Sequence, residues 1–342
     1  MKNGVLFFLA IFLTCFLWGK NTASGFRRND TLTIGFWNVE NLFDLVDDLE
    51  KNDDEFSLGG KKNVTQEIYN LKLKNCAEVL SDLNADIVGI CEVENRFMME
   101  ELNKAYSSRD YSIIHYDSPD RRGIDCALFY DTEKFKVLES KPIKNVLSTG
   151  TATRDILYVK GKYQDEVLHL FVNHWPSSYG GKAQAMPKRA DTSKLLEQKV
   201  LEILRRNPQA EILILGDLNE EPTEENVQNL MTIDEIKTQE GQLVNLMIPF
   251  ISQKGIGTYV YRGKDNFLDQ MLVSWGLTDS DGLKYLDGSM TILDLPKYRQ
   301  QTGKYSHYPF RFWAGNKLLG GYSDHLAIKV SIVKTGKYHH TD

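Results

Sequence analysis

What most constrains this chain is the recurrence of short apolar runs of strand character, many of them ending on a polar residue with chemical potential. The runs are Leu32 to Val39, Asp86 to Val93, Tyr111 to His115, Cys126 to Tyr130, Leu157 to Tyr163, Val167 to Val172, Glu211 to Leu215, Phe267 to Val273 and Leu326 to Val333. So many short strands imply large sheets. Two helical patterns lie between them: Gln66 to Leu83, with Ile68, Leu71, Val79, Leu80 and Leu83 on one face, and Lys188 to Arg205, with Leu195, Leu196, Val200, Leu201 and Leu204. Apolar helix faces of this kind cover sheets, so an α/β architecture is expected.

The polar residues at the strand ends carry the functional signal. Asn38 and Glu40 end the first strand, Glu92 and Glu94 the second, and Asn173-His174 a later one. Asp217 and Asn219 follow the run Ile212 to Gly216, Asp269 opens a strand, and Asp324-His325 precedes the last. Sheet strands carry such ends to a common rim, where side chains far apart in sequence can converge.

The remaining bulk properties narrow the setting. Lys2 is followed by an apolar run from Val5 to Trp18 and then by Asn21-Thr22-Ala23-Ser24, the pattern of a secretory signal over residues 1–24. The run is shorter than the roughly 20 residues a membrane span needs, so no stable span is expected, and the chain reads as exported to the periplasm or the extracellular space. A lipid anchor on Cys15 is disfavoured, because Phe12-Leu13-Thr14 precedes it where small residues belong. The other cysteines, Cys76, Cys91 and Cys126, sit in apolar settings without C-x-x-C spacing and read as buried free thiols. No Pro/Gly/Ser linker divides the chain, so one catalytic domain over residues 30–336 is expected, as a monomer. The formal net charge of −6 gives no basic footprint for phosphate contacts, although a metal ion supplies positive charge locally. Asp44 to Val64, with its acidic cluster and Gly59-Gly60, reads as a solvated, mobile loop.

Phe36-Trp37-Asn38-Val39-Glu40-Asn41, Ile90-Cys91-Glu92-Val93-Glu94-Asn95, Asn173-His174-Trp175-Pro176, Gly216-Asp217-Leu218-Asn219 and Ser323-Asp324-His325 resemble the ordered motifs of the endonuclease/exonuclease/phosphatase superfamily. The resemblance runs from about residue 32 to 333. It implies a four-layer α/β sandwich, deoxyribonuclease-I-like, with two packed, mostly antiparallel sheets flanked by helices. It also implies metal-assisted attack of water on a phosphodiester.

Mg²⁺ is the expected cofactor, with Mn²⁺ or Ca²⁺ as alternatives, because the polar set offers hard oxygen ligands and no Cys or His cluster suited to zinc. Glu92 is expected as principal ligand, with Asn38 or Asp324 nearby. The resemblance assigns Asp217 and His325 to management of the nucleophile, and sequence does not decide which removes its proton. Asp269 matches the carboxylate that orients His325. Asn38 and Asn219 would position the phosphate, and His174 would protonate the leaving group or bind the phosphate. His174 stands where abasic-DNA enzymes usually carry Tyr, which argues against that specialisation. Asp125 is the expected partner of His174, and Arg154 a phosphate-binding Arg. Cys91 replaces a common Gln, and Ser178 stands where an Arg is frequent, so one phosphate contact is either missing or supplied by Lys182 or Arg189. Nucleic acid is the expected substrate; a lipid headgroup or an inositol or sugar phosphate is the alternative, and a non-catalytic binding module the weaker one. Tyr298 to Tyr322 interleaves aromatic and basic residues and is expected to overhang the site, where its rings could stack on bases.

Overall fold

Along the first strand Leu32, Ile34 and Phe36 join one buried cluster while Trp37, Val39 and Leu42 join another, so both faces of the strand are covered. Thr31, Thr33 and Gly35 alternate with the first set, and the second set begins only at Trp37, where the strand becomes buried on both faces. The computed structural model describes residues 31–231 and 242–335; the expected secretory signal and Cys15 lie outside them.

The strands are β1 (Thr31–Leu42), β2 (Ile87–Val93), β3 (Ser112–His115), β4 (Asp125–Tyr130), β5 (Phe135–Ile143), β6 (Ile156–Tyr163), β7 (Glu166–His174), β8 (Glu211–Asp217) and β9 (Leu243–Asn245). They continue as β10 (Tyr259–Tyr261), β11 (Lys264–Asn266), β12 (Asp269–Ser274), β13 (Leu283–Tyr285), β14 (Thr291–Ile292), β15 (Trp313–Ala314), β16 (Lys317–Leu318) and β17 (Ile328–Lys334). Helices α1 (Gln66–Leu83), α2 (Arg96–Ala105), α3 (Lys182–Leu204) and α4 (Glu225–Met231) lie between them.

One sheet runs in the order β13-β17-β1-β2-β4-β3, with β14 also on β17, and the other β5-β6-β7-β8-β12-β9. Each contains one parallel pair, β1 with β2 and β7 with β8, and is otherwise antiparallel. Leu32, Ile34 and Phe36 of β1 meet Leu213 and Leu215 of β8 and Leu170 and Val172 of β7 in the core between the sheets. The sheets approach closely at Gly89, where a Cβ would lie 2.8 Å from Leu215 Cδ1. On the outer faces, α1 and α2 cover the first sheet through Leu73, Val79, Leu80, Met98 and Leu102, and α3 and α4 cover the second through Leu196, Val200, Leu204 and Leu230. This is the expected four-layer α/β sandwich.

Helix α1 occupies the residues its apolar periodicity marks, and the Thr65 side chain caps its first turn by accepting from Ile68 N–H. Helix α3 starts at Lys182, before Pro187, although the periodic pattern begins only at Lys188. Asp44 to Val64 departs from a solvated loop: Phe56 stacks on Phe43 at 4.3 Å between centroids, and the buried Lys62 donates to the Gly315 carbonyl at 2.8 Å. Burial of Phe43, Phe56, Val64, Phe312 and Trp313 in one cluster outweighs the polarity of the intervening residues. Cys76, Cys91 and Cys126 are buried free thiols, as expected. Among the described residues no helix is long and apolar enough to cross a membrane.

Candidate active site

The C-terminal ends of β1, β2, β7 and β8 and the N-terminal ends of β4, β12 and β17 lie at one rim, because parallel neighbours finish together and antiparallel neighbours start there. Three of these strand ends break their regular geometry where the polar side chains stand. Glu40, Asn41, Glu92 and Asn219 all have positive φ, between 50° and 65°, although none is glycine. The ladder between β1 and β2 shifts between Asn38 and Leu42, and that between β2 and β4 between Cys91 and Val93. Bulges re-aim side chains, and uncommon left-handed backbone at such positions persists only where surrounding contacts hold it.

Asp217 is the hub of the resulting cluster. Asn38 Nδ2 donates to its Oδ2 at 3.1 Å across the two sheets, and Asn219 N–H donates to its Oδ1 at 2.9 Å. His174 Nε2 and His325 Nε2 lie 3.7 and 3.8 Å from Oδ2, and His174 Nε2 is also 3.8 Å from Glu92 Oε1. These separations exceed direct hydrogen bonds, so the groups surround a point instead of neutralising one another. His325 Nδ1–H donates to Asp269 Oδ2 at 2.7 Å. Ser323 fixes this segment, its hydroxyl donating to the Asn38 carbonyl at 2.7 Å and accepting from His325 N–H at 3.0 Å.

Electrostatics separates the two histidines. Burial would lower both, but beside His325 the carboxylates of Asp269 and Asp217 outweigh it and hold the imidazole well above its ordinary value. His174 is pushed well below, by burial and then by the nearby Arg154 and Arg122. Burial pushes the Asp217 carboxyl up to about 6, against the opposing charge of His325.

Asp217, Asp269 and His325 are close enough to share a metal ion, with ligand atoms within 4.8 Å of one another. The short Asp269–His325 hydrogen bond, with an imidazole that favours its proton, makes this trio a proton-holding unit rather than a ligand set. Glu92 is the better cation donor. Its Oε2 accepts Asn41 N–H at 3.1 Å, and among the described residues its Oε1 has only Arg122 and His174, each at 3.8 Å. An oxygen-rich set of carboxylates and amides, partly desolvated, fits a hard divalent cation. The unpartnered buried atoms His174 Nδ1 and Asp269 Oδ1 also belong to this cluster.

Several expected assignments fall elsewhere. Asp125 does not orient His174: its carboxylate accepts from Ser118 N–H at 2.9 Å and contacts His115 Nε2 at 3.1 Å. Arg154 is buried and spends its guanidinium on Asp120 Oδ2, at 3.0 Å, and the Trp175 carbonyl, at 2.7 Å, so it braces the loop after β7 and does not face a phosphate. Arg189 is 1% exposed and held by Glu220 at 2.9 Å, with Ser178 Oγ accepting a further bond at 3.0 Å, and Lys182 is paired with Glu224 at the surface. Neither replaces the absent arginine. One amide hydrogen of Asn219 goes to the Trp175 carbonyl at 3.0 Å. Asp324 pairs with Arg311 at 3.0 Å, and Arg311 also reaches Glu40 at 3.2 Å. The cations beside the site carboxylates are thus Arg122 and Arg311. Arg311 belongs to the aromatic and basic segment Tyr298 to Tyr322 expected to overhang the site, whereas Arg122 lies in the loop leading to β4, which a strand-end reading does not capture.

Comparison with known proteins agrees with this geometry. The model of the Endonuclease/Exonuclease/phosphatase family matches residues 33–334. Comparison with curated protein sequences gives no match. Among solved structures, truncated TDP2 from Caenorhabditis elegans superposes with a TM-score of 0.54 at 19% identity, covering 89% of this chain and 97% of that one. D. rerio TDP2 complexed with single strand DNA product gives 0.56 at 16%, covering 88% and 98%. The endonuclease/exonuclease/phosphatase from Bacteroides vulgatus gives 0.53 at 14%, covering 89% and 99%. The fold is common to all three, and with the family model spanning both sheets and every motif at the rim, the chain belongs to the endonuclease/exonuclease/phosphatase family.

Proposed function

We propose that this chain is an exported, Mg²⁺-dependent phosphodiesterase that hydrolyses nucleic acid by attack of water. The observation that carries the reading is the convergence of Asn38, Glu92, His174, Asp217, Asp269 and His325, from both sheets, around one buried point. A binding module has no need for a desolvated carboxylate flanked by two histidines of opposite protonation preference. The single strand DNA product held by D. rerio TDP2 supports nucleic acid as the substrate. Export rests on Lys2 and the apolar run Val5 to Trp18.

Glu92, with Asn38 and Asp324, would hold Mg²⁺. Bound there, the ion supplies positive charge that polarises the phosphoryl group and stabilises the departing oxygen. Asp217 is the group that takes the proton from the attacking water: at about 6 its carboxyl is ionised near neutrality yet basic enough to accept a proton, and Asn38 and Asn219 fix both its oxygens. His325, held protonated by Asp269, donates from Nε2 to a phosphoryl oxygen. His174, held neutral by burial, could donate from Nε2 to a phosphoryl oxygen, which favours phosphate binding over proton delivery. The lipid alternative draws no support from the aromatic segment, because Phe312 and Trp313 are buried against Phe43 and Phe56 and do not face solvent.

Supercoiled plasmid, a single-stranded oligonucleotide and Mg²⁺, with the mature chain beside an Asp217→Ala/His325→Ala control, test the reading. Cleavage of at least one of the two nucleic acids by the parent alone is expected. Hydrolysis of a chromogenic diester with cleavage of neither would move the substrate to small or lipid phosphoesters, and no hydrolysis of any of the three would overturn the enzyme reading.

A further inference from the structure

Beside the catalytic cluster a cleft of about 570 Å³ opens between the β10–β11 hairpin and the segment before β15. Asp324 and Arg311 line its inner end, and the ring of Tyr259 lies 4.8 Å from that of His325, so the cleft begins where the reacting phosphate would sit. The hairpin closes in a tight turn. Arg262 and Gly263 both have positive φ, the backbone a tight two-residue β-turn requires. Gly263 N–H donates to Tyr308 Oη, which ties one wall to the other.

The walls alternate aromatic faces with cations. Tyr261 is 55% exposed and Tyr305 47%. The Arg262 guanidinium lies 5.2 Å from the Tyr261 ring centre, and Lys304 Nζ 5.5 Å from that of Tyr305. Tyr305 is braced edge-on by Tyr308 at 5.0 Å. Neither Arg262 nor Lys304 has a carboxylate partner among the described residues, in a chain whose net charge is −6.

We propose that this cleft binds the unpaired nucleotides flanking the cleaved bond, with bases stacked on Tyr261 and Tyr305 and phosphates met by Arg262 and Lys304, so that the substrate is single-stranded nucleic acid. Stacking needs bases whose faces are free, which a duplex withholds, and every base offers such a face regardless of sequence. A lipid surface fits less well, because the exposed rings here carry hydroxyls and alternate with charges. This inference rests on the phosphodiesterase reading for the position of the reacting phosphate.

The test measures binding apart from turnover: fluorescence anisotropy of a short labelled oligothymidylate in EDTA, with a duplex of equal length and phosphatidylcholine/phosphatidylserine vesicles in parallel. Tyr261→Ala/Tyr305→Ala is expected to weaken oligothymidylate binding roughly tenfold or more, while Tyr261→Phe/Tyr305→Phe keeps it, since the ring and not the hydroxyl stacks. Arg262→Gln/Lys304→Gln is expected to flatten the salt dependence by about 0.7 in log–log slope for each phosphate no longer neutralised. Bis(p-nitrophenyl) phosphate, which carries no flanking nucleotides, reports on the reacting centre: complete loss of its hydrolysis in the alanine pair would assign the effect to a damaged site and overturn the proposal. Unaltered oligothymidylate binding by the alanine pair, tighter binding of duplex than of single strand, or ring-dependent capture of vesicles would each overturn the proposal. Ring-dependent oligothymidylate binding by a parent that hydrolyses no diester would uphold the cleft and defeat the catalytic reading instead.

Discussion

Arg154 donates to Asp120 at 3.0 Å in a pocket where both side chains are about 6% exposed, and neither touches the point where the reaction is placed. The second guanidinium nitrogen holds the Trp175 carbonyl, which also accepts from Asn219. One buried ion pair therefore fixes the loop between His174 and the helix that follows, and through it Asn219.

Arg154→Met is expected to destabilise the fold by about 2–4 kcal/mol, because Asp120 Oδ2 loses its buried partner and only Oδ1 keeps contacts, with Arg122 N–H at 2.9 Å and the Arg122 guanidinium at 3.8 Å. Asp120→Asn in the same background should recover part of that loss, since no unpaired charge then remains. Urea denaturation of the two single variants and the double measures this. Additive losses would show that the residues do not act as a pair.

Asp217→Asn separates stability from activity. The folded-state pKa of Asp217, about 6, lies above the roughly 3.9 of an unfolded Asp. The native state thus binds this proton more tightly than the unfolded one. The associated stability is fully present below about pH 4 and is lost as pH rises through 6. Asn carries no charge to desolvate and keeps an acceptor oxygen for Asn219 N–H. The variant should therefore match the parent near pH 4 and exceed it by about 1–3 kcal/mol at pH 8, while hydrolysing nothing. Thermal unfolding in EDTA across that range checks it, and a variant less stable than the parent at pH 8 would refute the assigned cause.

The Asp269–His325 contact predicts a change in pH profile. Asp269 is the leading charge that holds the His325 imidazole above its ordinary value, so Asp269→Asn must lower that pKa. If protonated His325 serves the phosphate, activity in the variant falls off at lower pH than in the parent, and the maximal rate drops roughly a hundredfold. A pH–rate profile on bis(p-nitrophenyl) phosphate reads both. A descending limb that stays in place would remove His325 from the protonated role.

The rim was legible in sequence wherever a strand placed the residue. Asn38, Glu92, His174, Asp217 and Asp269 sit at or beside strand ends, and the sheet leaves them little freedom about where to point. The helix over Gln66–Leu83 was legible for a similar reason, its apolar face repeating with the helical period. The assignments that failed belong to side chains whose partners are chosen by loops. Asp125 opens β4, but the partner that reaches it comes from β3, His115, and Arg154 and Arg189 turned inward to Asp120 and Glu220. Nothing local in the sequence distinguishes a buried brace from a phosphate clamp. Helix α2 was hidden because Asn95, which caps it by accepting from Met98 N–H, also completes the Glu92 motif, and because its 10 residues are too few to repeat an apolar period clearly.

Glu40 shows how that distinction is settled by burial. It stands among the motif residues at the end of β1, yet its carboxylate faces away from the reacting point and accepts from Phe312 N–H at 2.6 Å, Trp313 N–H at 3.2 Å and Arg311 Nε at 3.2 Å. Burial, and then the charge of Asp324, push its carboxyl up to about 7. The residue is an anchor for the segment that carries Arg311 to Asp324. Glu40→Ala is expected to orphan two buried backbone donors and cost about 2–4 kcal/mol, with a fall in kcat/KM because Arg311 and Asp324 lose their common brace. Glu40→Gln retains one acceptor and should lose less than half as much stability. Hydrogen exchange at Phe312 and Trp313 distinguishes the cases: their amides should lose protection in the alanine variant and keep most of it in the glutamine variant, whereas equal protection in both would mean that packing against Phe43 and Phe56, and not Glu40, holds the segment in place.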